Sequence, residues 1–408
     1  MALDMEFVRS QFPGLGTDWA LMDNAGGSQI LKGVVDKITQ YYYSNNVQTG
    51  GSYDLSQQAA ISMANGRENI ATLFNATRPE EIVFGASSTV LLQVLSRAMA
   101  AQFQPDDEII VTIIDHESNI GPWVSLQEKG VKIVFWPMNK ETQQLELATL
   151  DKIMTDKTRL VCCTHVSNVL GTINPIKDIA EFVHQRGARI CVDGVAYAPH
   201  RAVDVQAWNV DFYVLSLYKT YGPHHAALFI KYEHMPDLSN LSHYFYDKDK
   251  IPAKLEPGNA NYELSFGSGG IVDYLAELGL RAGETRSRRK QLEAAFELIA
   301  VQEFALTERL LGYLRGRNDC TIFGIPDGKS QNRVATISFV VEGHDPEQVC
   351  QKLDEYKIAL RFGDFHARRL VDSMGFSEAN GILRVSMTHY NTLSEVDRVI
   401  AALDQVLA

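Results

Sequence analysis

Between about residues 70 and 230 the chain alternates short, continuously apolar runs with amphipathic helical segments, and that alternation leaves few folds open. The runs at 81–84, 108–112, 131–135, 159–163, 189–192 and 212–215 are rich in Val, Ile, Phe and Cys with little polar alternation. This is the pattern of strands covered on both faces. Strands of that kind separated by helices predict an α/β fold built on a parallel sheet. In such sheets ligands bind beyond the carboxyl ends of the strands. The residues at those ends are unusually polar: Ser87-Ser88, Asp115-His116, His165 to Asn168, Asp193, and Ser216 to Lys219.

After about residue 270 a charged, helix-forming stretch runs to about Gly316, and the character of the chain then changes. A strand at 334–339 leads to a helix opened by Asp345-Pro346, with an N-cap acid and proline in the first turn. A second strand at 383–387 precedes Thr392-Leu393-Ser394-Glu395, a capping box opening the last helix. The expectation is a large domain at 20–260 and a small α+β domain at 280–408, with residues 1–19 packed on the small one. At 408 residues and 45% apolar content the chain can fill such cores.

A formal charge of −12 argues against nonspecific binding to nucleic acid or anionic lipid. The opening Met1-Ala2-Leu3-Asp4-Met5-Glu6 lacks a basic segment followed by an apolar one, and no apolar run approaches membrane-spanning length. These features predict a cytoplasmic protein with no membrane and no nucleic-acid partner. The five cysteines form no Cys-x-x-Cys pair, and Cys162, Cys163 and Cys191 sit in strand-like runs, so they are read as reduced core residues. No His-Glu-x-x-His or comparable ligand spacing occurs, and no metal is expected; His224-His225 reads as a loop pair.

The richest segment is Asp211-Phe212-Tyr213-Val214-Leu215-Ser216-Leu217-Tyr218-Lys219-Thr220-Tyr221-Gly222-Pro223, a buried strand that ends by presenting a lysine. An ammonium there is costly unless paired or converted to an imine, and a desolvated lysine suits Schiff-base chemistry with an aldehyde. The plain alternative is a lysine that snorkels to solvent. Asp193 ends another apolar run, Arg189-Ile190-Cys191-Val192, with Gly194 allowing close approach. A carboxylate facing a pyridine nitrogen keeps it protonated, so that the ring withdraws electrons; alone, Asp193 reads equally as a helix cap. Gly85-Ala86-Ser87-Ser88-Thr89 precedes an apolar helix, and free N–H groups with hydroxyls at a helix start favour an anion.

In this order these pieces resemble the class V aminotransferases, particularly cysteine desulfurases of the selenocysteine-lyase-like group. The likeness is carried by Asp115-His116-Glu117-Ser118-Asn119-Ile120-Gly121-Pro122-Trp123, Thr164-His165-Val166-Ser167-Asn168-Val169-Leu170-Gly171, Val192-Asp193-Gly194, and Ser216 to Pro223. It implies a pyridoxal 5'-phosphate (PLP)-dependent fold type I enzyme of the aspartate aminotransferase superfamily, acting on an amino acid as a homodimer. It makes Lys219 the Schiff-base lysine and proton shuttle, Asp193 the partner of the ring nitrogen, and His116 the residue stacked on the ring. Asn168 would face the ring's phenolic oxygen or the substrate carboxylate, Ser87, Ser88 and Ser216 would hold the phosphate, and Arg384 would clamp the substrate carboxylate. Asn259, in Glu256-Pro257-Gly258-Asn259, would reach the phosphate site of the other protomer. His165 has no matched role and reads as a core histidine.

The pattern breaks at three places. A desulfurase carries a nucleophilic cysteine on a small-domain loop, and the matching segment here is Arg361-Phe362-Gly363-Asp364-Phe365-His366-Ala367, with His366 where the thiol belongs. The family's histidine before the lysine is Tyr218, and its glutamine three residues after the aspartate is Ala196. Tyr218 is then a candidate acid/base, with His224 replacing some of the lost polar contacts. The expectation is a lyase performing β-elimination without persulfide chemistry. The alternatives are a class V aminotransferase, an amino-acid epimerase, or a non-catalytic binding protein on the same fold.

Overall fold

The apolar runs form strands because β-branched and aromatic side chains fit a pleated surface buried on both sides. The computed structural model describes residues 3–328, 331–376 and 380–408. Among these the strands are, in chain order, β1 (Ala20–Leu21), β2 (Ile82–Gly85), β3 (Glu108–Thr112), β4 (Lys132–Trp136), β5 (Thr158–Thr164), β6 (Arg189–Asp193), β7 (Phe212–Ser216), β8 (Ala226–Ile230), β9 (Cys320–Phe323), β10 (Thr336–Val341), β11 (Ile358–Ala359), β12 (Arg361–Gly363) and β13 (Ile382–Ser386). Seven of them make one sheet in the order β2-β8-β7-β6-β5-β3-β4. From β4 to β7 all neighbours are parallel.

One strand of this sheet escapes the sequence reading. β8 is antiparallel to both β7 and β2. Its two alanines blunt the β signature, and only residues 217–225 separate it from β7, too short a link for the crossover that a parallel pair requires. Because β2 is antiparallel to β8 in turn, it runs the same way as β7. Ser87 therefore reaches the same sheet edge as Asp193 and Lys219.

The two faces of the sheet are buried in separate cores. Val111, Cys162, Cys191 and Val214 enter one, while Ile110, Cys163, Val192 and Leu215 enter the other. Full burial of each such aliphatic side chain contributes about 1.5–3 kcal/mol. Expected and observed strand ends differ where a polar group is engaged elsewhere. Glu81, expected in β2, instead accepts the N–H groups of Thr77 (2.8 Å) and Arg78 (3.2 Å). Val334, expected in β10, donates its N–H to Gly171 O at 2.9 Å.

A second, antiparallel sheet has the order β12-β13-β10-β9. The N-terminal segment is sewn to it: β1 pairs in parallel with β11, and Asp23 bridges to Ser386. Arg9 donates to Tyr390 O at 2.8 Å, and Phe12 lies 4.8 Å from the Tyr390 ring, centroid to centroid. Met1 and Ala2 lie outside the described residues. This seam brings Asp23 beside Arg384.

The charged stretch after residue 270 belongs to two helices, Tyr262–Arg281 and Arg288–Arg315, separated by Gly283 at φ +87° and the N-cap Ser287. Their close packing depends on Gly279, where a Cβ would stand 2.0 Å from the backbone oxygen of Gln291. Backbone cannot yield as a side chain does, so Gly279→Ala is expected to lose about 1–3 kcal/mol through overpacking. Gly312 is exposed on the second of these helices, and a Cβ there would make only an ordinary contact with Arg315 Nη2 at 3.9 Å; there Gly312→Ala is expected to gain about 0.4–1 kcal/mol. Denaturant titration of the two variants checks the opposite signs.

Candidate active site

Five strand ends meet at one sheet edge: Ser87 and Ser88 follow β2, His116 follows β3, Asn168 follows β5, Asp193 ends β6, and Lys219 follows β7. Together with Thr164, Ala196, Ser216 and Tyr218 they line one cavity. It continues outward into a cleft of about 1000 Å³ that shares His116 and Tyr218 and adds Glu117 and His366. Two of the expected residues, Arg384 and Asn259, line neither.

Lys219 ends a single 3-10 turn, Leu217–Lys219, whose position is fixed from outside. Leu217 N donates to His225 O (2.9 Å), Ser28 N to Tyr218 O (3.2 Å), and Leu31 N to Tyr221 O (3.0 Å). Tyr221 stands at φ +67°, costly for an aromatic residue, and is held there by its N–H on Ser28 Oγ (2.8 Å) and its hydroxyl on Pro199 O. Burial, reinforced by the Arg384 cation, lowers the Lys219 pKa to about 8, against the pull of Asp193 and Asp23. Burial raises the Asp193 pKa, opposed by the Val195 N–H at 2.9 Å and the Lys219 ammonium. Gly194 is required by packing, since a Cβ there would fall 1.9 Å from the Tyr213 ring.

His116 takes its ring state from its own turn. Ser118 N donates to its Nδ1 at 3.1 Å, which leaves the ring proton on Nε2. Burial, then the charges of Lys219, His366 and Arg384, push its pKa down to about 3, so the ring is neutral at ordinary pH. The turn is anchored by Asp115, which accepts from the Thr112 hydroxyl, Asn119 Nδ2 (2.6 Å) and Thr164 N (3.0 Å). Burial raises the Asp115 pKa to about 7.

The hydroxyls cluster as an anion site requires. Ser87 caps the helix Ser88–Met99, accepting from Val90 N at 3.2 Å, and Ser216 Oγ donates to Ser88 Oγ at 2.9 Å. Asn168 Nδ2 donates to Phe365 O at 2.9 Å, and its Oδ1 is buried without a partner. The unpaired end of the amide therefore suits a donor such as a phenolic hydroxyl. An amine, a carboxylate, a stacking ring, a hydroxyl cluster at a helix start and an orphan amide oxygen form the donor set that pyridoxal phosphate requires.

Arg384 is buried in β13, with 2% of its surface exposed. Its Nη2 pairs with Asp23 Oδ1 (3.0 Å), its Nη1 donates to Asn168 O (3.1 Å), and the Phe365 ring lies 3.9 Å from its guanidinium carbon. Its Nε is buried without a partner. His366 is exposed, 5.2 Å from the His116 ring, centroid to centroid, and its carbonyl accepts from Glu117 N at 2.8 Å. Tyr218 stacks on His224 at 4.9 Å, and burial raises its phenol pKa. Asn259 is exposed at φ +68°, beside Ala86, Val90 and His224 on the outer side of the serine loop.

His165 packs behind Asp193, stacked on Tyr197 at 3.7 Å with Nδ1 2.8 Å from Tyr213 Oη. The five cysteines lie in β5, β6, β9 and the helix Pro346–Glu355, and none lines the cavity or the cleft. Among the described residues no group of three His, Cys, Asp or Glu side chains is placed to hold a metal ion. Asp23 and Phe365 were not legible as site residues. Only their long-range contacts reveal them.

The family model for aminotransferase class-V matches residues 20–399. An aminotransferase-like protein of Gibberella zeae is 40% identical, over 100% of this chain and 99% of its own. A cysteine desulfurase-like protein of Aspergillus flavus is 32% identical, over 99% of this chain and 91% of its own. The crystal structure of the cysteine desulfurase CsdA of Escherichia coli superposes with a TM-score of 0.85 at 26% identity, covering 100% of this chain and 99% of that one.

With its pKa lowered to about 8, Lys219 is half neutral there, whereas the unfolded side chain keeps its proton to about pH 10.4. Between these values the unfolded state binds more protons, so the contribution of Lys219 to stability rises with pH. In cofactor-free protein, acylation of Lys219 by an amine-selective reagent, followed by peptide mass spectrometry, is expected to reach half its maximal rate near pH 8. A midpoint near that of the surface lysines would contradict the reading.

Proposed function

The chain belongs to the class V aminotransferase family and is a pyridoxal-phosphate-dependent enzyme, and on that premise we propose that it catalyses β-elimination from an amino acid without passing sulfur to a cysteine of its own. The observation that carries this reading is the placement of the five cysteines, all outside the cavity and cleft, with His366 at the cleft instead.

Bound in the cavity, pyridoxal phosphate supplies an aldehyde carbon for an amine and a protonated pyridine ring that draws electrons from the substrate Cα. Ser87, Ser88 and Ser216 would hold its phosphate, and the Asp193 carboxylate would favour the proton on its ring nitrogen. His116, neutral, offers its ring face without adding a charge. Arg384 binds the substrate carboxylate. Lys219 removes the Cα proton at Nζ, for which its lowered pKa near 8 is suited. The Cβ–X bond then breaks with its electron pair on X, and Tyr218, at the junction of cavity and cleft, protonates the departing group. One water is consumed, and the products are a 2-oxo acid, ammonia and HX.

In a homodimer Asn259 of one protomer would reach the phosphate site of the other. Its exposure beside the start of the helix Ser88–Met99 supports this. Transamination is the competing reading, favoured by the name of the Gibberella zeae relative.

Holoenzyme offered cysteine, cystine and other amino acids with a β leaving group is expected to release 2-oxo acid and ammonia with no protein persulfide. Conversion to the pyridoxamine form would make it a transaminase, and a persulfide abolished by Cys320→Ala or Cys350→Ala would restore a desulfurase. Lys219→Ala should lower turnover by at least about 10³-fold. Tyr218→Phe should lower kcat more for poor leaving groups than for good ones, a dependence absent if the phenol only packs.

A further inference from the structure

Arg384, assigned to the substrate carboxylate, and Asn168, which would face either that carboxylate or the ring's phenolic oxygen, are both engaged by a single residue of the chain. Phe365 lays its ring over the Arg384 guanidinium at 3.9 Å, and its carbonyl takes the Asn168 Nδ2 proton at 2.9 Å. In this arrangement Arg384 Nε is buried with no partner. Asp23 Oδ1 balances the guanidinium at Nη2, 3.0 Å away, and the Asp23 carboxylate lies 3.6 Å from Arg361 as well. The guanidinium is thus held in a fixed orientation with one unused N–H edge.

The backbone that presses Phe365 into place is unfavourable in itself. Phe365 and His366 stand at φ +53° and +58°, consecutive left-handed residues without glycine, and Gly363 before them is at φ +123°. Left-handed conformations of this kind persist only where surrounding contacts enforce them, and they cluster at ligand clamps and switch segments. The segment is held by the burial of the Phe365 ring, 6% exposed, and by a small set of polar tethers. Glu117 N donates to His366 O at 2.8 Å, Arg369 pairs with Glu117 at 3.1 Å, and His366 N donates to Asp364 Oδ1 at 2.9 Å.

We propose that Phe365 is a substrate-displaced gate: an incoming α-carboxylate reaches Arg384 only as the 363–367 loop lifts, which uncovers the Nε edge and releases Asn168 Nδ2 as a second donor. The proposal rests on the assignment of Arg384 to the carboxylate, and not on which reaction follows. Lifting removes a cation–π contact, the burial of the Phe365 ring and two neutral hydrogen bonds, Asn168 Nδ2 to Phe365 O and Glu117 N to His366 O, and relaxes two strained residues. A carboxylate supplies in return charge-assisted bonds to a buried donor that otherwise has none. Gate and ligand therefore compete for one guanidinium, and the apparent affinity for any carboxylate is lowered by the fraction of closed loops.

Propionate, which has a carboxylate and no amine, isolates this step from the chemistry. Calorimetric titration of the holoenzyme with propionate is expected to show Phe365→Ala binding several-fold more tightly than wild type, up to about tenfold. Phe365→Leu should fall between them, and Arg369→Ala, which loosens the loop without touching the ring, should also bind more tightly. In wild-type holoenzyme, hydrogen exchange at the Glu117 amide should become faster when propionate binds, because its acceptor on His366 moves away. A ligand that merely stabilised the loop would slow it. Unchanged or weaker binding in both Phe365 variants, or slower Glu117 exchange, overturns the gate. Undiminished propionate binding in Arg384→Ala overturns it too, by moving the carboxylate seat elsewhere. Failure of the lyase reading would leave all these results untouched.

Discussion

The parallel pairing of β6 with β7 sets an acid and a base side by side at the end of a fully buried sheet, and the rest of the site follows from making that tolerable. Asp193 stands opposite Val214, and the chain then turns so that Lys219 faces back toward it. Two opposite charges in a low-dielectric pocket attract strongly, yet each has lost its water, and neither effect alone sets the protonation state. The balance here leaves Lys219 near pH 8 rather than fully charged. A second cation, Arg384, tips it that way, and the Asp23 carboxylate limits how far.

The same economy explains the neutral groups. His116 lies close enough to Lys219, Arg384 and His366 that a further positive charge would be opposed from several sides, and its pKa near 3 removes that charge. Asp115, behind it, holds the loop by accepting three hydrogen bonds, while burial brings its own pKa to about 7. The turn that carries His116 is thus positioned by hydrogen bonds to Asp115. Tyr221 extends this outside the cavity. Its strained backbone and its bonds to Ser28 and Pro199 transmit the rigidity of the N-terminal segment to the lysine turn.

How much of this the sequence revealed depends on the range of the interaction. Strand-end polarity is local, so Ser87, His116, Asn168, Asp193, Tyr218 and Lys219 could be read from their runs, and they do line one cavity. Capping is local too, and both Asp345 and Thr392 cap the helices they were expected to open. β8 was missed because its composition is weak and its partner is set by a turn, not by a pattern. The pairings of Asp23 with Arg384 and Phe365 with Asn168 span 361 and 197 residues, and nothing in the surrounding sequence announces them. Arg384 shows the limit most clearly: the family resemblance picks it out as a carboxylate clamp, but only the packing of the segment after β1, of β12 and of the 363–367 loop around it makes it a buried, half-satisfied donor.

The proposed absence of a sulfur-carrying thiol from the 363–367 loop is consistent with how that loop is attached. A loop that carries a nucleophile must travel between the substrate and an acceptor, and every tether to the site wall opposes that travel. Here Arg369 is paired with Glu117, the His366 carbonyl with the Glu117 N–H, and the Phe365 carbonyl with Asn168. Such a segment can lift and reseat, but it is poorly built to carry an atom away. On the proposed reading the loop serves instead as a wall, with the Phe365 ring over Arg384 and His366 lining the outer cleft, and the burden passes to the cleft itself. A leaving group expelled there needs a proton and a path to solvent. On the proposed elimination, the phenol of Tyr218 and the open cleft beside the neutral His116 would provide both, and none of the five cysteines lines that cleft.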